Sequence, residues 1–281
     1  MMARVGTRRA IISWTLLTAA VVLALLYFLR SGEPVYQGKL LTGWLEQFGT
    51  NHWSVAHGGD LDRQAEAALQ HIGTNAVPIY FQMMTTRGSP IMLKLLTLLP
   101  KSWLARFHAP GLMEYRNQIY TRNSLGAYGF VALGEKAKPF VPALIALNSD
   151  EDRLHRRLAI FVLSRLGPTA SEALPEFIKC LNDPDEPTRD IAATGLGEIH
   201  QVPEKSVPIL MDFFEKFHKD AYHEMSSHEA IRSIGRFGAQ AKPAIPMLIG
   251  LLNDPVSDIR DAATNALRCI DPDVAAKAGV Q

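Results

Sequence analysis

From about residue 126 to the end of the chain, apolar residues recur with a helical period in blocks separated by glycine and proline. Leu174, Phe177, Ile178 and Leu181 stand at i, i+3, i+4 and i+7, and so do Ile245, Leu248, Ile249 and Leu252. A second stripe, Ala159, Val162, Leu163 and Leu166, returns as Ala192, Gly195, Leu196 and Ile199 and again as Ala263, Ala266, Leu267 and Ile270. Each block therefore predicts two short amphipathic helices. A glycine ends the first, and a proline begins or shortly enters the second, where a missing N–H is tolerated.

The blocks are copies of one unit. LGEKAKPFVPALIAL (133–147), LGPTASEALPEFIKCL (166–181) and FGAQAKPAIPMLIGLL (237–252) align without gaps around Gly134, Gly167 and Gly238. Pro142, Pro175 and Pro208 are spaced by 33 residues, and Pro246 follows after 38. Asp150, Asp183 and Asp254 fall eight residues after their prolines, and Arg156, Arg189 and Arg260 fall fourteen after them. Two such helices cannot bury their apolar stripes alone, whereas stacked neighbours bury them continuously. The expected fold is all-α, an α-solenoid. The Asp and Arg positions are expected to pair as an exposed charge ladder along the turns, contributing under about 1 kcal/mol per pair.

The pattern LG-x-x-A-x-P-x-x-P-x-L-I-x-L-L-x-D-P, followed by R-x-x-A-x-x-x-L, resembles the HEAT repeat, which implies two antiparallel helices per unit. The clear likeness covers about 126–281. One copy is degenerate: His200 stands where a glycine is expected, Val202-Pro203 disturbs the turn, and Ser227 replaces the arginine. Upstream, residues 67–78 read as one further turn, with Gly73 and Pro78 in the same roles. The HEAT-like solenoid is thus expected over 61–281, with a helical insertion around 86–125. Residues 30–60 are expected to form a linker and a capping helix, because Leu41, Trp44, Leu45 and Phe48 have helical spacing. Their opening, Tyr36-Gln37-Gly38-Lys39 with Trp44-Leu45, is similar to that of membrane-anchored HEAT-repeat proteins of bacteria.

Residues 11–29 run for nineteen positions without a charge. As a helix that is roughly 28 Å, the thickness of a hydrocarbon core. It reads as an uncleaved transmembrane anchor, since the apolar run exceeds that of a signal peptide and bulky residues follow it. Arg4, Arg8 and Arg9 precede it against Arg30 after it, which predicts a cytoplasmic tail over 1–10 and residues 31–281 outside, periplasmic in a bacterium. The chain carries 29 basic and 28 acidic residues. Without the four arginines of 1–30, the body holds 25 basic against 28 acidic residues, a net charge of −3. That balance argues against a nucleic-acid partner.

Catalytic chemistry is hard to find. His218, His223 and His228 are spaced by five, which spreads them around a helix and away from one metal ion. His52 and His57 form a similarly weak pair. Cys180 and Cys269 read as small buried hydrophobes. No nucleophile elbow, phosphate loop or paired-carboxylate arrangement is present. The sequence therefore predicts a membrane-anchored, non-enzymatic scaffold or adaptor without cofactor, binding another protein on the second helices of the units and on 214–228. Two other readings stay open: an enzyme or a chromophore- or small-ligand-handling protein, since some HEAT-like families attach or remove bilins, and a structural subunit of a membrane complex.

Overall fold

A computed structural model of the chain describes residues 32–52, 60–106, 110–218 and 224–280. The anchor assigned to 11–29 and the tail before it lie outside the described residues, as do His57 and His223. Among the described residues, no helix is long and apolar enough to cross a membrane.

The first element is a small hairpin that the all-α expectation lacked. Strands β1 (Val35–Tyr36) and β2 (Lys39–Leu40) pair antiparallel. Gln37 and Gly38 between them both take positive φ, 49° and 76°, the backbone of a tight hairpin turn. Helix α1 (Leu41–His52) follows at once. It sends Leu41, Trp44, Leu45 and Phe48 into the core, and its Trp44 indole donates to the Tyr36 carbonyl at 3.1 Å. The helix packs on α2 (Asp60–Ile72) and on α6 (Leu112–Leu133), so it closes one end of the stack.

Helices α2 and α3 (Val77–Met84) form the first helix pair, joined by a 3-10 turn at Gly73–Ala76. Two short helices, α4 (Pro90–Leu98) and α5 (Lys101–Arg106), come next, before the long α6. From there the pairs repeat: α6 with α7 (Val141–Leu147), α8 (Arg153–Leu166) with α9 (Leu174–Cys180), α10 (Glu186–Ile199) with α11 (Pro203–Phe217), and α12 (Glu224–Arg236) with α13 (Ile245–Leu251). Helix α14 (Ser257–Ile270) and the short α15 (Pro272–Lys277) end the array. The first helices α6, α8, α10, α12 and α14 stack in that order into one layer. Each second helix packs on the first helix that follows it, giving the second layer.

Size complementarity between the layers sets how closely they approach. The buried ring of Phe177 on α9 fills the space a Cβ on Gly195 of α10 would occupy, only 2.3 Å from Cε1. Tyr80 on α3 does the same to Gly129 of α6, at 2.4 Å. At the corresponding positions of the unit between them stand Leu144 and Val162, both fully buried. A large knob faces glycine, and a smaller one stands in the unit that has valine. This pairing keeps interior density high without forcing any helix out of line.

Candidate interaction groove

The residues singled out by periodicity hold the turns. Gly134 and Gly167 end their first helices at φ 54° and 51° with ψ −127°, a conformation open to glycine and closed to residues with a Cβ. Gly73 and Gly238 take φ 64° and 53° at the same point. Pro142, Pro175 and Pro246 occupy the first turn of α7, α9 and α13. Pro208 differs. It lies inside α11, because the degenerate unit has no separate 3-10 turn and its second helix already begins at Pro203.

The Asp–Arg ladder is corrected by the structure. Arg156, Arg189 and Arg260 donate to the backbone carbonyls of Asp150, Asp183 and Asp254, at 2.9, 2.9 and 2.7 Å, within their own units. The carboxylates turn the other way and accept the amides of Asp152, Asp185 and Val256 at 2.7 to 2.9 Å. Each Asp therefore closes a turn and each Arg ties that turn to the next helix, so the pair is a local clasp. Between units other partners act. Arg87 meets Asp150 at 2.8 Å, His218 meets Asp254 at 3.0 Å, and Arg153 and Arg157 reach the buried Asp185 at 3.4 and 3.8 Å. These positions recur one per unit along the array and converge on no common site.

What does converge lies on the exposed side of the first-helix layer. A hollow of about 400 Å³ is lined by Tyr120, Ser124 and Tyr128 of α6, Arg157, Phe161 and Arg165 of α8, Ile191 and Thr194 of α10, and Glu229 of α12. A second hollow of about 300 Å³ shares Tyr120, Ser124 and Tyr128 and reaches Glu46 and Gly49 of α1. A third, about 610 Å³, continues past Thr42, Glu46, Thr121 and Arg122 to Arg87 and Tyr115. Together they form one groove crossing α1, α6, α8, α10 and α12. It runs along the first helices, whereas the sequence pointed to the second helices.

Its floor is aromatic. Phe48, Tyr128 and Phe161 make successive edge-to-face contacts, with ring centroids 6.5 and 6.1 Å apart. Gly49 leaves room for Tyr128 to lie against α1. Burial, with Tyr120 nearby, pushes the Tyr128 phenol up, so it stays a neutral hydrogen-bonding group. The charges at the rim are largely engaged with one another: Arg157 faces Asp185, and Glu229 accepts from Arg232 at 2.6 Å and from Thr194 at 3.4 Å. The groove accordingly offers aromatic surface and a balanced rim, not a field of one sign.

Glu229 carries a pH dependence. Burial pulls its carboxyl upward, but the hydrogen bond from His228 and the charge and hydrogen bond of Arg232 outweigh it, leaving the pKa at about 2 against an ordinary 4.5. A carboxylate lowered on folding adds stability that is complete above pH 4.5 and is lost as the pH falls toward 2. Glu229→Gln is therefore expected to be destabilising near neutral pH and nearly silent in strong acid. Urea titrations of both proteins at about pH 6 and about pH 3 measure the narrowing gap.

The other candidates separate. His218 and His228 bond to different partners, Asp254 and Glu229, and no group of three metal-ligating side chains occurs among the described residues. Cys180 is buried beside Asn148, whose amide nitrogen lies 3.3 Å from its sulfur, while Cys269 is exposed, contrary to the expectation that both are buried. The groove residues were missed because Tyr128, Phe161 and Thr194 lie outside the apolar stripe. Their signal was present all the same: they are spaced by 33 residues, and two of the three are aromatic.

Residues 141–222 match the family described as HEAT repeats, and residues 244–273 match that described as HEAT repeat. No curated protein matches the sequence. Among solved structures, the complex of CpcE and CpcF of phycocyanin lyase from Nostoc sp. is similar at 26% identity and a TM-score of 0.45, over 55% of this chain and 62% of that one. A designed armadillo repeat protein in complex with a (KR)4 peptide is similar at 15% identity and a TM-score of 0.41, over 82% of this chain and 99% of that one. An engineered protein is similar at 17% identity and a TM-score of 0.40, over 83% of this chain and 68% of that one.

Proposed function

This chain is a HEAT-repeat protein, and we propose that it is a membrane-anchored, non-enzymatic scaffold that seats a segment of a partner protein along the first-helix groove. The observation that carries this reading is the continuity of the groove across five helices, with Tyr128 and Phe161 half-buried in its floor. Tyrosine, other aromatics and arginine are the side chains on which binding energy concentrates, and here they are held by packing before any partner arrives. The balanced rim favours a segment with apolar or aromatic anchors over a nucleic acid, which needs a row of unpaired cations. Anchoring through residues 11–29 holds the groove near other membrane components and raises its effective concentration for them.

Crosslinking from the groove tests the reading. The full-length protein, carrying a photoactivatable residue at Tyr120, is irradiated in its native membrane and its adducts are identified. One dominant protein adduct is expected. Tyr128→Asp with Phe161→Asp should reduce it at least about thirty-fold, the effect of losing a hot spot, with helicity unchanged. Ile249→Asp, on the exposed side of the second helix α13, should leave it intact. Capture that survives the groove variant, or a small molecule as the only adduct, overturns the proposal.

A further inference from the structure

Helix α4 is apolar on two faces. Leu96 turns inward and is buried, while Ile91, Leu95 and Leu98, at i, i+4 and i+7, turn to solvent with Met92 beside them. Ile91 is 81% exposed and Leu98 72%. A surface helix of a globular protein keeps one polar face; a helix apolar all round belongs in a core or in lipid. The same stretch of chain continues with Trp103 on α5, 60% exposed, and Met113 at the start of α6, 68% exposed. Single exposed hydrophobes need no explanation, but six within 23 residues do.

Charge identifies what covers them. No Asp or Glu occurs between Glu66 and Glu114, whereas Arg87, Lys94, Lys101 and Arg106 do, in a body whose net charge is −3. Arg87 is paired with Asp150, but Lys94 and Arg106 are exposed among the aliphatic residues and the tryptophan. Such a surface matches the boundary of a bilayer with anionic headgroups. There tryptophan sits at headgroup level, leucine and isoleucine enter the acyl region, and lysine stems reach back to the phosphates. Nine residues of helix span roughly 14 Å, half of a hydrocarbon core, so α4 would lie in the interface and not cross it. We propose that the α4–α5 insertion is a lipid-contacting surface that rests on an anionic bilayer. The proposal stands on Arg87, α4, α5 and Met113 alone and holds whether or not the groove binds a protein.

The test places a polarity-sensitive dye on the patch of the full chain. Cys269→Ser removes the exposed thiol and Cys180 is buried, so Leu98→Cys takes the label, with Ile249→Cys as the control on α13. The protein is mixed with vesicles of phosphatidylethanolamine and phosphatidylglycerol at high lipid excess, with and without doxyl-labelled lipid. The dye at 98 should shift to the blue and be quenched, while the dye at 249 stays as in water. Replacing the lipids by phosphatidylcholine should weaken the signal, by roughly five-fold for each cation engaged. Met92→Cys gives the same reading should Leu98→Cys fail to fold. A dye at 92 or 98 that remains water-like overturns the proposal. So does a shift that appears only as protein crowds the vesicle, the mark of a second copy, or one indifferent to anionic lipid.

Discussion

Gly195→Val is expected to destabilise the protein by about 3 kcal/mol, and Phe177→Leu in the same molecule to return most of that loss. The Cβ that valine brings would stand 2.3 Å from Cε1 of Phe177, and both positions are fully enclosed, so the ring has nowhere to go. Alone, Phe177→Leu should cost about 1 kcal/mol, because it leaves a void beside the glycine. The double variant reproduces the pair that the preceding unit already uses, Leu144 with Val162. Urea titrations of the four proteins give the coupling directly. A favourable interaction of at least about 1 kcal/mol supports size matching between the layers, and simple additivity rejects it. The glycine itself is costly in mid-helix relative to alanine, by about 1 kcal/mol, so its presence at 129 and 195 needs the aromatic ring as its reason.

Gly167→Ala is expected to cost about 2 to 3 kcal/mol, whereas His200→Gly should change stability by less than about 1 kcal/mol. The two positions are one repeat apart and have been solved differently by the chain. Gly167 takes φ 51° and ψ −127°, which alanine cannot enter without moving the 3-10 turn at 167–173. A Cβ there would also meet the Glu198 carbonyl at 3.4 Å. Histidine at 200 instead takes φ 53° and ψ 28°, a left-handed conformation that polar residues tolerate. Val202 follows at φ 50°, and the unit passes directly into α11. His200 compensates by bonding to the Arg236 carbonyl of the next first helix and lying against Phe237, 5.6 Å between ring centroids. Thermal unfolding of both variants decides the matter: an alanine at 167 as stable as wild type would show that the turn relaxes freely.

How far the sequence reached follows from what periodicity can and cannot encode. The stripes of α8, α10 and α14 were legible because burial repeats every three to four residues, and Gly134, Gly167 and Gly238 were legible because only glycine serves at those turns. The hairpin at Tyr36–Lys39 escaped because two-residue strands are too short to show alternation, although Gln37-Gly38 is the kind of pair a tight turn needs. The spacing of Asp183 and Arg189 brought the two residues together correctly, yet spacing cannot say which oxygen a guanidinium chooses, and it chose the carbonyl. The groove escaped for a different reason. Periodicity identifies the enclosed stripe, and Tyr128 and Phe161 lie beside it, half-buried against the core, so the hollows along the first helices could not be read from that stripe. The aliphatic run at 91–99 was visible as hydrophobic, but only the structure separates Leu96, which is enclosed, from Ile91 and Leu98, which are not.

The stacking of each first helix only on its neighbours has a consequence for whatever lies along them. Stability in such an array is chiefly a sum over adjacent interfaces, where the principal contacts among the described residues lie. A segment seated from α1 to α12 would be the one element touching several units at once, and so would act as a splint. By reciprocity, whatever binding adds to the cohesion of the stack, looseness in the stack must subtract from the affinity. The partner's dissociation constant and the rigidity of the superhelix are then two readings of one free energy, and a mutation deep between the layers should alter recognition without touching the recognised molecule.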